Sequence, residues 1–284
     1  MQIIQYTEGM TIPDNGFVAG MPNEVYQAID THVSNSRMKL MQLSAFKYFN
    51  PKTFTQTRAM QIGSAIHAKI LEPELFERDY IMLPELKDRR QPEYKSAVKA
   101  LGEEHVFVGT ECENIERMYQ SAYSNNDIAE LLNADGYCEL SGFATCPETG
   151  LKLRVRFDKL LTNGKALDIK KTQSVLYRDL SNTIYNYGYH IQQAFYSYVY
   201  HLITGKEINS FNFAFIEEKE PSEAQLVRLD DVSKMIAVDE MDLLLNQVKH
   251  YTEIKDTVKN NNPMTYVSLP EWKMREYENG IMGE

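Results

Sequence analysis

Apolar residues in the first half of the chain recur mostly at three- and four-residue intervals, the spacing of a helix that buries one face. Helices are predicted in three stretches, MPNEVYQAIDTHV, SNSRMKLMQLSAFKYF and TRAMQIGSAIHAKILEPELFERDY. The second has Ser34 or Ser36 as its cap and stops before Pro51, and the third runs to Glu72, where Pro73 follows. The remaining predictions are irregular structure over 1–20, an exposed charged loop over 84–95, and two or three helices over 92–133.

After residue 133 the pattern changes to the alternation of apolar and polar residues that is typical of strands. Strands are predicted in YCELSGFATC, LKLRVRFDKLL and KALDIKK, and TNG joins the last two. Asn-Gly is the strongest short signal for a hairpin turn. We therefore expect an antiparallel meander in which Asp158 and Asp168, each five residues from Asn163, lie nearly opposite one another.

Helices and strands alternate again in the last part of the chain. A helix containing IQQAFYSYVYHLIT precedes predicted strands in SFNFAFIEE and AQLVRLDD and a long helix over about 232–258, and the tail from Asn260 is predicted to be loosely packed. This order predicts one α/β domain over 1–284 with a mixed central sheet flanked by helices. Its parts are a helical N-terminal cover over 20–133, a core over 134–220, and a helix with the tail over 221–284.

Composition excludes several classes of protein. With 284 residues, 43% of them hydrophobic and 25% charged, the chain has the make-up of a globular domain. Its apolar runs are much shorter than a membrane span, and its first residues lack the basic start and apolar core of a secretory signal. Three irregularly spaced cysteines favour a reduced, cytoplasmic setting and cannot supply a four-cysteine iron–sulfur cluster.

The net charge of −10, taken alone, argues against a nucleic-acid partner. It is, however, a sum over the whole surface. A metal-dependent nuclease needs acidic residues at its centre and only a local basic rim, so the net charge does not decide the partner.

Two acids and a lysine at the ends of the paired strands are the clearest chemical signal. Like charges that face each other across a ladder destabilise it, and a divalent cation between Asp158 and Asp168 would reverse that effect. Their oxygen ligands suit Mg²⁺ or Mn²⁺ rather than zinc. Lys170 shares a strand face with Asp168, where it can orient a metal-bound water or take its proton, and the Ile169 carbonyl is a further candidate ligand. The alternative is a solvated hairpin face with incidental charges.

Two helical motifs each have a structural and a functional interpretation. His67 shares a helix face with Gly63 and Ile66 and is predicted to point inward, either as a hydrogen-bonded core residue or as a metal ligand. Gln192 and Tyr196 lie four residues apart on a largely apolar helix face. The glutamine either bonds a backbone carbonyl or reaches a lysine, water or phosphate at the hairpin.

Taken together and in this order, the motifs resemble a known family. The G-x-x-x-H of Gly63–His67, the aspartate Asp158, the Asp-x-Lys of Asp168–Lys170 and the Q-x-x-x-Y of Gln192–Tyr196 resemble the RecB- and RecE-like branch of the PD-(D/E)XK nucleases. The likeness covers approximately residues 20–205 and is greatest to the exonuclease VIII (RecE-type) enzymes of phages and prophages. Lys171 departs from that group, which usually has threonine directly after the lysine.

The resemblance implies a restriction-endonuclease-like α/β core that holds one or two Mg²⁺ or Mn²⁺ ions. The ligands that it implies are His67, Asp158, Asp168 and the Ile169 carbonyl, with Glu139 as a ligand or an outer-sphere group. Catalysis of phosphodiester cleavage would then depend on these ions and on the residues that surround them.

The remaining motif residues also receive roles from the resemblance. Lys170 would position or deprotonate the attacking water, Gln192 would orient Lys170 or the phosphate, and Tyr196 would support the wall of the site. Candidates for contact with DNA are Arg154, Arg156 and Lys171. For the two arginines, the alternative is solvent exposure without a role.

The function implied is a Mg²⁺-dependent exonuclease that digests linear double-stranded DNA from 5′ to 3′ and leaves 3′ single strands for recombination by annealing. The resemblance also implies a homo-oligomeric ring, a phage or prophage origin in a bacterial cytoplasm, and a single-strand annealing protein as partner; no membrane partner is expected. Two alternatives stay open: an endonuclease or single-strand nuclease of the same fold, and a non-catalytic DNA-binding or scaffold module.

Overall fold

A mixed sheet carries most of the residues discussed above. The computed structural model describes residues 3–52, 55–259 and 264–281. The strands are β1 (Ile3–Gln5), β2 (Gly16–Ala19), β3 (Val33–Ser34), β4 (Ile81–Leu83), β5 (Val106–Val108), β6 (Gly136–Thr145), β7 (Lys152–Leu161), β8 (Lys165–Thr172), β9 (Ser210–Glu217) and β10 (Ala224–Val227). The helices are α1 (Asn23–Ala28), α2 (Asn35–Leu43), α3 (Ala45–Phe49), α4 (Arg58–Leu71), α5 (Pro73–Asp79), α6 (Pro92–Leu101), α7 (Thr110–Ser124), α8 (Asn126–Asn133), α9 (Tyr177–Asn186), α10 (Tyr189–Thr204), α11 (Asp231–Glu253) and α12 (Glu271–Ile281).

The main sheet combines antiparallel and parallel pairs. Seven strands lie in the order β1-β2-β6-β7-β8-β9-β10, and β3 also pairs with β7. Strands β6, β7 and β8 form the predicted antiparallel meander, whereas β9 is parallel to β8 and is reached through α9 and α10. The predicted α/β fold, with a mixed sheet flanked by helices, is confirmed.

Helices cover both faces of this sheet. Phe211, Phe213 and Phe215 alternate along β9 into a core that α2, α10 and α11 complete. Ala214 and Ile216 point to the other face, where α4, α7 and α8 supply the apolar side chains. Because both faces are buried, β9 has a nearly continuous apolar sequence.

The hairpin between β7 and β8 opens into a fork. The predicted Asn-Gly turn is present, and Gly164 has the positive φ of 78° that such turns need. In the described strands, main-chain pairing runs from the turn as far as Lys159 and Leu167. Beyond these two residues the main-chain hydrogen bonds stop, and the Ile169 N–H instead donates to the side-chain atom Asp158 Oδ2 at 2.7 Å. The predicted acids therefore lie where the two strands separate.

The alternation of side chains shifts by one residue beside this fork. Phe157 and Leu160 are three residues apart, yet both pack into the core on the α10 side. Residues at that spacing face opposite sides of a regular strand, so the pleat is broken between them, at Asp158. Glu139 lies opposite Asp158 on β6 and has a φ of 48°, the left-handed region that non-glycine residues rarely adopt. Because residues directly opposite one another in an antiparallel pair share a face, the two carboxylates lie on one side of the sheet.

Two short strands lie in the segment that was predicted to be irregular. β1 and β2 pair in parallel, and β2 extends the sheet at β6, where Phe17 faces Gly142. Strands of three and four residues are too short for an alternating pattern to be recognised. Their pairing depends on a partner far along the chain.

The predicted helix over residues 34–49 is interrupted at Ser44. Ser34 caps α2, as expected, by accepting the Arg37 N–H at 3.2 Å. Ser44 then accepts the Lys47 N–H at 3.1 Å and begins α3. A second serine cap inside the run therefore divides the predicted helix in two.

Other boundaries differ by small amounts. Helix α4 ends at Leu71, one residue before the predicted end, and α6 begins at Pro92 within the segment predicted as a loop. The small parallel pair of β4 and β5 was not predicted. Of the predicted tail, residues 260–263 and 282–284 lie outside the described part, and the rest includes the exposed helix α12. None of the described helices combines the length and apolar character needed to cross a bilayer.

Candidate active site

Helix α4 delivers His67 to the side of the fork where Asp158 and Glu139 meet. One donor atom from each of these three residues lies within 4.8 Å of the other two. His67 Nδ1 is 3.5 Å from Asp158 Oδ2, and the histidine side chain is 30% exposed. His67 therefore lies in a partly open cluster instead of the apolar core, which favours the metal-ligand interpretation.

Glu139 is the most perturbed carboxyl of this cluster. Burial is the main cause that raises its pKa, to about 8, and the negative charge of Asp158 adds to the effect while Arg156 opposes it. Burial also raises the pKa of the nearby Glu72, the C-cap of α4. The protein thus brings these carboxyl groups together without enough positive charge to compensate them. Glu139 also has a strained backbone conformation.

This donor set fits a divalent cation. Two carboxylates offer the hard oxygen ligands that Mg²⁺ and Mn²⁺ prefer, and an imidazole nitrogen is compatible with the softer of the two. A cation would also remove the repulsion that raises the pKa of Glu139. His67, Glu139 and Asp158 are the residues that would hold it.

Asp168 and Lys170 form a buried ion pair next to that cluster. Asp168 is 2% exposed, and its Oδ2 contacts Lys170 Nζ. Burial raises the pKa of Asp168 to about 7, with Lys170 opposing and Asp158 adding to the shift. Burial lowers the pKa of Lys170, but the charges of Asp168 and Asp158 outweigh it, so that the net shift is upward. Lys170 is therefore held as an ammonium ion.

Gln192 on α10 holds the Asp168 carboxylate from the other side. Its Nε2 donates to Asp168 Oδ1 at 2.7 Å, and both side chains are buried. Within the described part of the chain, Gln192 thus bonds to the acid and not to a backbone carbonyl or to Lys170, the partners considered from the sequence. With one oxygen held by Gln192 and the other by Lys170, Asp168 is fixed in orientation. It lies outside the three-residue cluster, and its role as a metal ligand stays a prediction.

Tyr196 packs one turn further along α10. Its ring meets Phe157 edge-on at 5.2 Å and Phe211 at 6.1 Å. Burial raises the pKa of its hydroxyl well above the usual value. Tyr196 thus packs beneath β7, a position that fits its expected role of supporting the wall of the site.

The main chain of Ile169 faces the fork. Its side chain is 1% exposed in the core, and its N–H points to Asp158 on β7. The N–H and C=O of one strand residue lie on the same edge of that strand. The Ile169 carbonyl is therefore directed toward the fork, where the predicted ligand role requires it to be.

A family model described as "PDDEXK-like domain of unknown function (DUF3799)" matches residues 34–264. The chain belongs to this family. A search of curated proteins found no match. The family description and the fold support the PD-(D/E)XK superfamily, while the exonuclease VIII (RecE-type) assignment stays a prediction.

Two solved structures are similar to this PDDEXK-like domain. A "Putative exonuclease" from Eubacterium rectale is 13% identical, with a TM-score of 0.59, and the match covers 86% of this chain and 96% of that one. At this identity, the likeness shows a shared fold. The crystal structure of SSO0001 is 10% identical over 84% of this chain and 100% of that one, and its TM-score of 0.28 is too low to support an argument.

The PDDEXK-like domain buries the two arginines that were predicted to contact DNA or solvent. Arg154 and Arg156 are 8% and 7% exposed, and their guanidinium groups lie 4.6 and 4.3 Å from the ring centre of Tyr26. Arg156 donates to the Met21 carbonyl at 2.8 Å and to Ser141 Oγ at 3.0 Å, and Arg154 contacts the Tyr26 carbonyl. The expected contact with DNA and the alternative of solvent exposure are both corrected. The N-terminal segment covers β7, so these arginines are structural.

Lys171 lies on the opposite strand face from Lys170 and has an acidic partner. Its Nζ is 2.9 Å from Glu218 Oε1, and the two side chains are 20% and 22% exposed. Contact between Lys171 and DNA would require this ion pair to open. That contact stays a prediction.

Two residues beside the site were missed from the sequence. Tyr189 lies under Lys170, whose Nζ is 4.9 Å from the ring centre. Lys39 on α2 donates to the Tyr187 carbonyl at 2.6 Å, and its pKa is lowered by burial and by Lys170. A lysine on a helix and a tyrosine at a helix start are common, so no local signal distinguishes them. Only the packing of α2 against the start of α10 brings them to the site.

Proposed function

We propose that the protein is a metal-dependent nuclease that hydrolyses DNA phosphodiester bonds. One observation supports this above all others: the cluster of His67, Glu139 and Asp158 lies next to the Asp168–Lys170 pair at the fork of the hairpin. A structural ion pair would not need three further ligand-type side chains beside it. A site for metal-assisted hydrolysis needs both parts.

The residues divide the chemistry between them. A divalent cation, when bound by His67, Glu139 and Asp158, supplies Lewis-acid polarisation of the phosphate and lowers the pKa of water. Lys170, held as an ammonium ion, donates hydrogen bonds to the attacking water or to a phosphate oxygen and stabilises developing negative charge. Asp168 and Gln192 fix the position of that ammonium ion. With its pKa raised, Lys170 fits the positioning role better than that of a base.

Within this class we propose a Mg²⁺- or Mn²⁺-dependent exonuclease that digests linear duplex DNA from 5′ to 3′. Its product would be a 3′ single strand that an annealing protein uses in recombination. The order and spacing of the four motifs support this finer assignment, as does the intact Asp-x-Lys, which a scaffold module would not require. The alternatives are an endonuclease or a single-strand nuclease of the same fold.

One assay separates these activities. Purified protein is incubated with linear duplex, nicked circle and covalently closed circle, each with Mg²⁺, Ca²⁺ or chelator. An exonuclease digests the linear duplex with Mg²⁺ and leaves the closed circle intact, and labels on the 5′ or 3′ end report the polarity. Cleavage of the closed circle would indicate an endonuclease, and no cleavage of any substrate would indicate a binding or scaffold module.

We also propose that the enzyme works as a closed ring of identical subunits. A chain of net charge −10 is repelled by DNA, and a ring holds its substrate topologically without a large positive charge. Light scattering should then give a mass several times 32.8 kDa. Excess linear DNA added after loading should leave ongoing digestion largely unchanged. A monomer that this trap stops completely would rule out the ring but not the nuclease.

A further inference from the structure

A tyrosine-rich surface lies at the junction of α9 and α10, beside the candidate active site. Tyr185 and Tyr187 are 70% and 63% exposed although they are large aromatic residues. A surface on which several large aromatic side chains are exposed together is often a binding site. Tyr185 stacks on His190, whereas Tyr187 stacks on Tyr189, and we call Tyr187 and Tyr189 the tyrosine platform.

The platform is continuous with the catalytic lysine. The rings of Tyr187 and Tyr189 stack at 5.7 Å with an interplanar angle of 18°. Lys170 Nζ in turn lies 4.9 Å from the centre of the Tyr189 ring. A chain of contacts therefore leads from exposed Tyr187 to Lys170.

A second cation is fixed at the edge of the platform. The Lys39 ammonium group donates to the Tyr187 carbonyl at 2.6 Å. Gly188, between the two stacked tyrosines, has a φ of 62°, and a Cβ added there would lie 2.9 Å from Lys39 Cδ. Glycine therefore allows the tight turn and the close approach of Lys39. The junction combines flat aromatic rings with two lysines.

We propose that this platform binds unpaired terminal bases of the DNA strand that is being cut, while Lys39 contacts a backbone phosphate. Nucleobases stack on exposed tyrosine rings whatever their identity, and lysine ammonium groups bind phosphates. Paired bases inside a duplex do not expose their faces, so the platform selects an opened or single-stranded end. The proposal rests on the nuclease function proposed above, and it adds that the enzyme acts on a frayed end.

Binding measured without cleavage tests the platform directly. The full-length protein is titrated, with Ca²⁺ in place of Mg²⁺, into fluorescein-labelled oligo(dT) of about twenty nucleotides and into a blunt duplex of the same length. Tyr187→Ala should weaken binding of the single strand about tenfold, the loss of one stacked base, and binding of the duplex less than about twofold. Tyr266→Ala is the matched control, because Tyr266 is an 89% exposed tyrosine in the C-terminal segment.

Two further variants separate stacking from general charge. Tyr187→Trp should keep the affinity for the single strand, because indole also stacks on bases. The chain has one tryptophan, Trp272, so that Tyr187→Trp combined with Trp272→Phe carries a single fluorescent reporter. Its emission should fall when oligo(dT) is added. Lys39→Ala should instead weaken binding of both DNA forms and reduce the salt slope by about one.

The outcomes distinguish the platform from the nuclease. If wild-type protein cuts DNA but Tyr187→Ala binds oligo(dT) within about twofold of wild type, the platform is rejected and the nuclease stands. If wild-type protein cuts nothing while Tyr187→Ala still weakens single-strand binding, the platform is supported and the nuclease is rejected. Thermal melts of each variant check that it is folded. An unquenched tryptophan in the double variant also overturns the stacking model.

Discussion

Strand β7 carries two groups of charged side chains that differ in how their charge is compensated. Arg154 and Arg156 are buried, and each guanidinium group lies against the Tyr26 ring and a main-chain carbonyl. Asp158 follows two residues later and faces Glu139, whose pKa is raised to about 8 by burial and by Asp158. The first group finds its main partners within the protein, and of its buried nitrogen atoms only Arg154 Nε lacks a hydrogen-bond partner among the described residues. In the second, burial and the repulsion between the two carboxyl groups are only partly offset by Arg156.

This difference shows that burial of a charged residue does not by itself indicate function. The arginines have the low exposure often taken as a mark of a special site, yet their guanidinium groups bond to carbonyls of the N-terminal segment and, for Arg156, to Ser141 on β6. The acids combine partial burial with repulsion between like charges and a strained backbone at Glu139. Uncompensated charge of this kind is expected where a ligand supplies the missing counter-charge.

The largest effect should come from replacing Lys170, the positively charged member of the Asp168–Lys170 pair. Lys170→Met should lower the cleavage rate by about 10²–10³, because an oriented positive charge is lost from the transition state. Mg²⁺ binding, measured by calorimetry, should persist in this variant. Asp158→Asn should lower both cleavage and Mg²⁺ binding. Full cleavage by either variant would falsify the assignment of the active site.

His67→Ala tests whether α4 contributes a ligand. Removal of a ligand should lower activity by about tenfold or more, with a melting temperature close to that of wild type, because the side chain is 30% exposed. A core residue would behave differently, with early melting and with activity in proportion to the folded fraction. That second pattern would show that His67 is structural.

Arg156→Met should separate the structural group from the catalytic one. The substitution keeps the volume but leaves the Met21 carbonyl and Ser141 without their donor, and it should cost about 2 kcal/mol. The melting temperature should then fall by about 4–8 °C. Lys171→Met is the matched control on β8; its partly exposed ion pair with Glu218 should contribute less than about 1 kcal/mol. Loss of activity without loss of stability in Arg156→Met would contradict the structural role.

The smallest effect concerns pH. The pKa of Glu139 is raised in the folded protein from 4.5 to about 8, so between these values the folded state keeps a proton that the unfolded state has lost. The free energy of unfolding of metal-free protein should therefore fall as pH rises through this window. Solvent screening limits the expected fall to about 1–2 kcal/mol.

Glu139→Gln is the control for that measurement, because it removes the titrating group and keeps the shape. Denaturant unfolding in chelator at pH 5 and pH 8 should show a smaller difference in this variant than in wild type. Added Mg²⁺ should stabilise wild type more at the higher pH, where the carboxylates are ionised. Equal pH dependence of the two proteins would mean that Glu139 does not titrate as its surroundings imply.

Local patterns were enough to predict the elements that hold the site. The Asn-Gly turn determined the hairpin, and alternation along β8 placed Asp168 and Lys170 on one face, where they pair. Helical spacing predicted that Gln192 and Tyr196 would share a face of α10. These features depend on residues within a few positions of one another, so the sequence contains their cause directly.

Longer-range packing decided what those elements do. Buried Arg156 is bonded to Met21, and Lys39 is held in place by Tyr187. In each of these pairs the two residues are far apart in the chain. Glu139 reaches the cluster because β6 pairs with β7 and places it opposite Asp158, with a φ of 48° that no local preference of glutamate favours. The sequence by itself determined which acids, lysine and histidine could form a site. Only the tertiary structure decided which charges are neutralised by the protein and which are left uncompensated, because that depends on contacts between segments that no local pattern encodes.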